Sequence, residues 1–148
     1  METFTITRSA QVLLIEDNPG DVLLIREALR HSRVGNVLHV VEDGAEALRF
    51  LRQESRYRNQ AHPDLIILDL NIPKRDGREV LAEIKSDAEL RRIPVVILTT
   101  SDTDDDVLQA YSLHANCYIT KPVDFDKFME IVRFIEIFWF SIVRLPGR

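Results

Sequence analysis

The chain has little to hold it together covalently. Its 148 residues include a single cysteine, Cys117. A lone cysteine closes no internal disulfide, which suits a reducing compartment. Basic residues are in the minority: 19 Lys and Arg stand against 24 Asp and Glu, for a formal charge of −5. Without a basic excess, nucleic-acid binding by phosphate neutralisation is not the expected function. Residues 1–11 carry Glu2 and Arg8 and no apolar run, so no signal peptide is visible and the expected location is the cytoplasm. Neither a repeat nor a linker divides the sequence. One domain of this length hides about two thirds of the surface its unfolded form exposes. A membrane span is also missing. The most apolar segment is interrupted by Asp126, Lys127, Glu130, Arg133 and Glu136, and its unbroken part, 137–140, is far too short to cross a bilayer.

What is present is alternation. Short apolar runs occupy 12–15, 37–41, 65–68, 95–98 and 117–119, with segments of helical period between them. Continuous β-branched runs suit strands covered on both faces, as in a parallel sheet. Helices are predicted over 19–31 (opening with Pro19), 45–54, 78–86 and 104–113, and from an Asp124 cap to about 143. Strand then helix, five times over, implies right-handed crossovers and an open α/β sheet with helices on both faces. The polar stretch 55–63 reads as a surface loop.

The polar residues fall at telling places. Glu16 and Asp17 end the first run, Asp69 the third, Thr99 to Ser101 the fourth and Lys121 the fifth. In open α/β sheets the functional crevice lies just beyond the carboxyl ends of the strands. Glu16, Asp17 and Asp69 repel one another if left bare, so a proton or a cation belongs among them. Oxygen ligands at a mouth open to water suit Mg²⁺ or Mn²⁺. Lys121 is then a counter-ion to a carboxylate or a phosphoryl group, and Thr99 a hydroxyl donor to the same oxygens. Such a set can carry phosphoryl transfer to Asp69 by positioning and screening. Singly, each residue has a plainer reading: Glu16-Asp17 as the cap of the next helix, Asp69 as a turn residue, Lys121 as a solvated lysine. Jointly they point to function.

These residues resemble a known family, the receiver domain of two-component response regulators. The resemblance rests on Leu14-Ile15-Glu16-Asp17-Asn18, on Leu68-Asp69-Leu70-Asn71-Ile72-Pro73 with Asp76-Gly77 beyond, on Thr99-Thr100-Ser101 and on Lys121-Pro122. It covers 11–142. It implies a doubly wound, flavodoxin-like, three-layer fold with strand order 2-1-3-4-5 and five helices, over 11–148 after an N-terminal extension of 1–10. It also implies roles. Asp69 is the phosphoacceptor, and Glu16, Asp17, Asp69 and the Asn71 carbonyl hold Mg²⁺ (or Mn²⁺). Thr99 is the switch hydroxyl, Tyr118 the switch aromatic, and Lys121 binds the phosphoryl group beside a Pro122 bond that is often cis in the family. Tyr118 also has a plainer reading as a half-buried aromatic at the sheet edge.

Finer similarity, in 76–85, 92–96 and 113–118, is to the small response regulators of cyanobacterial phytochromes. That implies a light-regulated sensor histidine kinase as phosphodonor. The chain stops at Arg148 with no effector domain in view, so the expected output is protein contact with a downstream partner and no direct DNA binding. The expected chemistry is that of a switch rather than an enzyme. Two alternatives stand beside it: an aspartyl-phosphate phosphatase, which needs an acid where Asn71 stands, and a pseudo-receiver that binds without being phosphorylated.

Six of the eleven aromatic residues crowd into 125–140. Phe125, Phe128, Val132 and Ile135, with Trp139 and Ile142 beyond, share the stripe that faces the sheet. Met129, Ile131, Phe134, Phe138 and Phe140 exceed what one face covers. A neighbouring helix of the same domain is one taker. The other is a second copy, giving a homodimer through Phe134, Phe138 and Trp139.

Overall fold

Apolar runs alternating with amphipathic segments build one parallel sheet. The computed structural model describes residues 9–32, 34–142 and 144–146, with Ile142 by its backbone alone. The strands are β1 (Ala10–Ile15), β2 (Asn36–Val41), β3 (Leu65–Leu68), β4 (Val95–Thr99) and β5 (Cys117–Thr120). They lie in the order β2-β1-β3-β4-β5, every neighbouring pair parallel. The helices are α1 (Pro19–Arg30), α2 (Gly44–Leu51), α3 (Gly77–Ser86), α4 (Asp104–Ser112) and α5 (Phe125–Ile137). This is the three-layer, doubly wound order that the resemblance implies.

Successive strand side chains point to opposite faces, so each strand feeds two cores. Leu13, Ile15, Ile66, Leu68 and Ile97 pack with Ala47, Leu48, Val80, Leu81 and Ile84 from α2 and α3, and with Ala110 of α4. Val12, Leu14, Leu65, Ile67 and Val96 pack with Ile25, Ala28 and Leu29 of α1 and with Phe128, Val132 and Ile135 of α5. Each helix is started by a side-chain cap: Asn18, Asp43, Asp76, Thr103 and Asp124. Caps of this kind are each worth about 1 kcal/mol.

Two glycines allow close approach. A Cβ on Gly44 would lie 2.1 Å from the Arg75 carbonyl oxygen, and one on Gly77 would lie 2.5 Å from the Asp69 carbonyl oxygen. The first turns of α2 and α3 therefore lie directly against the backbone at the site end of the sheet.

The opposite end is clamped by Lys85. Its Nζ donates to the carbonyl oxygens of Arg91 (3.0 Å) and Ile93 (2.9 Å) and to Asn116 Oδ1 (3.0 Å). Asn116 Oδ1 also accepts the Val95 N–H at 2.9 Å. One ammonium thus joins α3 to the starting ends of β4 and β5. Burial among carbonyls alone pulls its pKa below the usual lysine value.

Several boundaries differ from the sequence reading. The helix expected over 45–54 stops at Leu51, and Gln53 takes φ 58°. Its amide then reaches back to the Gln60 carbonyl at 2.6 Å. The loop 55–63 contains a 3-10 turn, Ser55–Tyr57, and Tyr57 packs against the first core. The last helix does not run straight to 143: α5 ends at Ile137 and a π-helical turn, Phe138–Ile142, continues the chain. Phe125 does not face the sheet; it is 60% exposed, in the first turn of α5. Of the extension read over 1–10, only Ser9 and Ala10 lie within the described residues, and Ala10 already opens β1. Val143 and the Ile142 side chain also lie outside them.

Candidate functional site

The carboxyl ends of β1, β3, β4 and β5 open on one crevice. Glu16 and Asp17 follow β1, Asp69 follows β3, Thr99 ends β4 and Lys121 follows β5. Register brings them side by side, because Ile15 pairs with Leu68, Leu68 with Ile97, and Thr99 with Thr120. Lys121 is the centre. Its Nζ lies 2.8 Å from Glu16 Oε1, 2.8 Å from Asp21 Oδ2 and 2.9 Å from Asp69 Oδ2. Lys121, Glu16, Asp69 and Thr99 are all buried, whereas Asp17 is exposed.

Glu16 is not a helix cap. Asn18 takes that place, its Oδ1 accepting the Asp21 N–H at 3.0 Å. Glu16 turns inward to Lys121, and its second oxygen accepts the Asn18 N–H at 3.2 Å. Burial pushes the Glu16 carboxyl up to about 7; the Lys121 hydrogen bond opposes the rise and the Asp69 charge adds to it. Burial also works against the charge on Lys121. Its hydrogen bonds to Asp21, Glu16 and Asp69 outweigh that penalty and hold the ammonium above its usual pKa. Asp21 is the member that sequence reasoning misses. In one dimension it is an ordinary acid in the first turn of a helix; the available signal was that this helix starts at the mouth of the crevice.

Asp69 is held from both sides. Oδ2 takes the Lys121 ammonium and Oδ1 accepts the Asn71 N–H at 3.0 Å. On the β4 side, Thr99 Oγ1 accepts the Ser101 N–H at 3.4 Å. Tyr118 is half-buried at the edge strand and donates its hydroxyl to the Ser101 carbonyl at 2.8 Å. The plainer reading of Tyr118, a half-buried aromatic at the sheet edge, matches this position, and its hydroxyl also touches the loop after Thr99. No peptide bond among the described residues is cis, so the Lys121–Pro122 bond is trans, unlike the family tendency.

Three carboxyl groups, of Glu16, Asp21 and Asp69, surround one ammonium, and exposed Asp17 follows Glu16 in the chain. The donor set is all oxygen, as a hard divalent ion requires. Among the described residues no three acidic, His or Cys groups form a ready cage. A magnesium-type site takes one or two carboxylates and keeps several waters. Asp17 has no hydrogen-bond or ion-pair partner among the described residues, so it is available.

The C-terminal aromatics divide. Trp139 and Phe140 are half-buried and pack against the second core, whereas Phe134 is 60% and Phe138 48% exposed. Phe138 meets Trp139 edge-on, with ring centroids 5.3 Å apart. Beside them, between β5 and α5, Cys117, Ile119, Ile131 and Phe134 help line an open apolar cavity of about 320 Å³. Trp139 is thus a wall of this face more than an exposed anchor.

The crevice has the makeup of a phosphoacceptor site, and comparison with known proteins decides the family. The model of the response regulator receiver domain matches residues 12–133. The chain is a response regulator receiver domain. It is 49% identical over 136 residues to the response regulator Rcp1 of Synechocystis sp., covering 92% of each chain. It is 40% identical to the probable methanogenesis regulatory protein FilR2 of Methanothrix harundinacea, over 92% of this chain and 87% of that protein. Among solved structures it is similar to the phosphorylated cyanobacterial phytochrome response regulator RcpA. The TM-score is 0.93 and the identity 53%, over 95% of this chain and 100% of that one. It is also similar to the Mn²⁺-bound form of Rcp1, with a TM-score of 0.91 and 48% identity over 93% and 99% of the two chains. No helix among the described residues of this receiver domain is long and apolar enough to cross a membrane.

Proposed function

We propose that Asp69 is the phosphoacceptor of this receiver domain, with a sensor histidine kinase as donor. The observation that carries this reading is the Lys121 ammonium, 2.9 Å from Asp69 Oδ2 in a buried pocket. A carboxylate oxygen of Asp69 attacks phosphorus, an O–P bond forms, the N–P bond to the donor imidazole breaks, and the imidazole leaves. Lys121 screens the carboxylate and then the phosphoryl oxygens. Thr99 lies at the adjacent strand end, where its hydroxyl can turn toward those oxygens, and Tyr118 follows the loop that Thr99 starts. Glu16, Asp17, Asp69 and the Asn71 carbonyl would hold Mg²⁺ or Mn²⁺, which neutralises charge on the transferring group when bound. The relatives support both parts: the matched RcpA structure is of a phosphorylated protein and the matched Rcp1 structure is Mn²⁺-bound. The same names support a phytochrome-type kinase as partner.

The test is incubation with Mg²⁺ and acetyl phosphate, with intact-mass measurement as the readout. One phosphoryl group should add to the wild type and none to Asp69→Asn. An adduct that survives in Asp69→Asn sinks the assignment, multiple turnover of unrelated phosphate esters would favour an enzyme, and no adduct with any donor would favour a pseudo-receiver. The expected setting is the cytoplasm.

The output face is proposed to be the α5 side of β5, meeting a second copy of the chain. A two-fold interface must carry both a knob and a hole on the same patch. Exposed Phe134 and Phe138 beside an open apolar cavity supply both. Aromatic anchors in such patches carry most of the binding energy.

A further inference from the structure

We propose that Arg78 is a positioning residue for the phosphoryl switch: by holding Asp106 it fixes Ser101, and through Ser101 it sets where Thr99 and Tyr118 rest. This rests on the reading of Asp69 as the phosphoacceptor. Arg78 lies in the first turn of α3, and its guanidinium forks between two helix starts. Nη1 donates to both carboxylate oxygens of Asp76, the α3 cap, at 3.0 and 3.2 Å. Nη2 reaches Asp106 Oδ1, in the first turn of α4, at 3.0 Å. Among the described residues this is the one ion pair between α3 and α4. Both side chains are only 22% exposed, so solvent screens the pair less than a surface bridge.

Asp106 passes the restraint on. Its other oxygen, Oδ2, accepts the Ser101 hydroxyl, and its N–H donates to Thr103 Oγ1 at 3.2 Å. The Ser101 hydrogen bond first, and the Arg78 pair second, hold the Asp106 carboxyl below the usual range, so it stays charged. Ser101 is the junction. Its N–H meets Thr99, its hydroxyl meets Asp106, and its carbonyl receives the Tyr118 hydroxyl. Both groups read as switch elements are therefore anchored on one residue of the β4–α4 loop.

The residue before Arg78 packs against the segment that follows β3. Arg78 follows Gly77, where a Cβ would sit 2.5 Å from the Asp69 carbonyl oxygen and 2.6 Å from Leu70 Cα. The Gly77 N–H donates to the Leu70 carbonyl at 3.0 Å. Backbone movement at Asp69 thus reaches the start of α3 with no side chain between to absorb it. Arg78 carries it across to α4. The acceptor side and the hydroxyl side of the crevice are tied outside the crevice as well as within it, by residues that touch neither phosphoryl group nor metal.

Beryllofluoride, a phosphoryl mimic, tests the tie by titration calorimetry in excess Mg²⁺. Arg78→Gln should weaken its binding about fivefold, the size of one partly buried charge pair. Mg²⁺ affinity measured alone should stay at the wild-type value, which a general loss of structure would not allow. Asp106→Asn should weaken it too, and the double variant should lose less than the sum of the two, since both remove the Arg78–Asp106 pair while Arg78→Gln also frees Asp76. Arg78→Lys, which keeps the charge and loses the fork, should fall between, and it reports on the tie even if Arg78→Gln folds poorly. Wild-type beryllofluoride affinity in Arg78→Gln or Asp106→Asn, or additive losses in the double variant, would overturn the proposal. A wild type that binds no beryllofluoride, or binds it equally as Asp69→Asn, would instead overturn the Asp69 reading beneath it.

Discussion

Lys121 and Glu16 show how a single residue can be misjudged from its neighbours in sequence. Glu16 and Asp17 stand together in the chain, yet one is sealed against an ammonium and the other faces water. The kinds of residue in the crevice were legible in one dimension, because strands of a parallel sheet end on the same side. Their pairing was not. The acid that completes the Lys121 triad, Asp21, comes from the start of α1 and depends on which way a helix turns out of β1. The buried carboxyl makes a prediction of its own. With a folded pKa of about 7 against the usual 4.5, Glu16 binds a proton in the folded state that the unfolded state has lost. Its contribution to stability is therefore fully present below about 4.5 and lost as pH rises through about 7. In EDTA, urea melts of the wild type and Glu16→Gln should diverge across that window, the wild type losing stability relative to the variant. Parallel pH curves would refute it. Metal binding needs the deprotonated form, so Mg²⁺ should weaken as pH falls below about 7.

Among the elements, α5 and the turn after it departed most from expectation. A regular helical stripe placed Phe125 and Trp139 on one buried line. Phe125 is instead at the exposed start of the helix, before α5 meets the sheet, whereas Trp139, in the π-helical turn after Ile137, does pack against the sheet-facing core. Trp139 and Phe140 reach the second core together while Phe138 stays outside. A wider turn leaves no mark on a 3.6-residue pattern, so it could not be read from spacing. The correction changes the experiment that suits the proposed homodimer. Truncating Trp139 would damage the core, whereas Phe134→Ala with Phe138→Ala removes exposed rings. The pair should leave the thermal midpoint nearly unchanged, since surface substitutions usually act within about 0.5 kcal/mol. It should weaken association about a hundredfold, as loss of a strong anchor does. Sedimentation over a concentration series reads the outcome, and an unchanged dimer would place the interface elsewhere. The helix α2 tells the same lesson in small: Leu51 ends it because Gln53 takes a positive φ that its composition does not announce.

At the scale of the molecule, the two ends of the sheet are built from different materials. The site end is charged, ends in loops, and is tied by side-chain hydrogen bonds that can be exchanged. The other end is fixed by the Lys85 ammonium among three carbonyl-type oxygens. The consequence is a gradient in time. Amide protons near Val95 and Asn116 should exchange with deuterium only on global opening, while those of the loop around Ser101 should exchange through local fraying. Lys85→Met would leave the Arg91 and Ile93 carbonyls without this donor and Asn116 Oδ1 with the Val95 N–H alone, at a cost of about 1–3 kcal/mol. Mass-resolved deuterium uptake should then speed up at the starts of β4 and β5 and hardly change at the crevice. Equal acceleration at both ends would mean that the sheet opens as one piece. On that expectation the slow base keeps the register of the strands while the fast rim opens and closes above it.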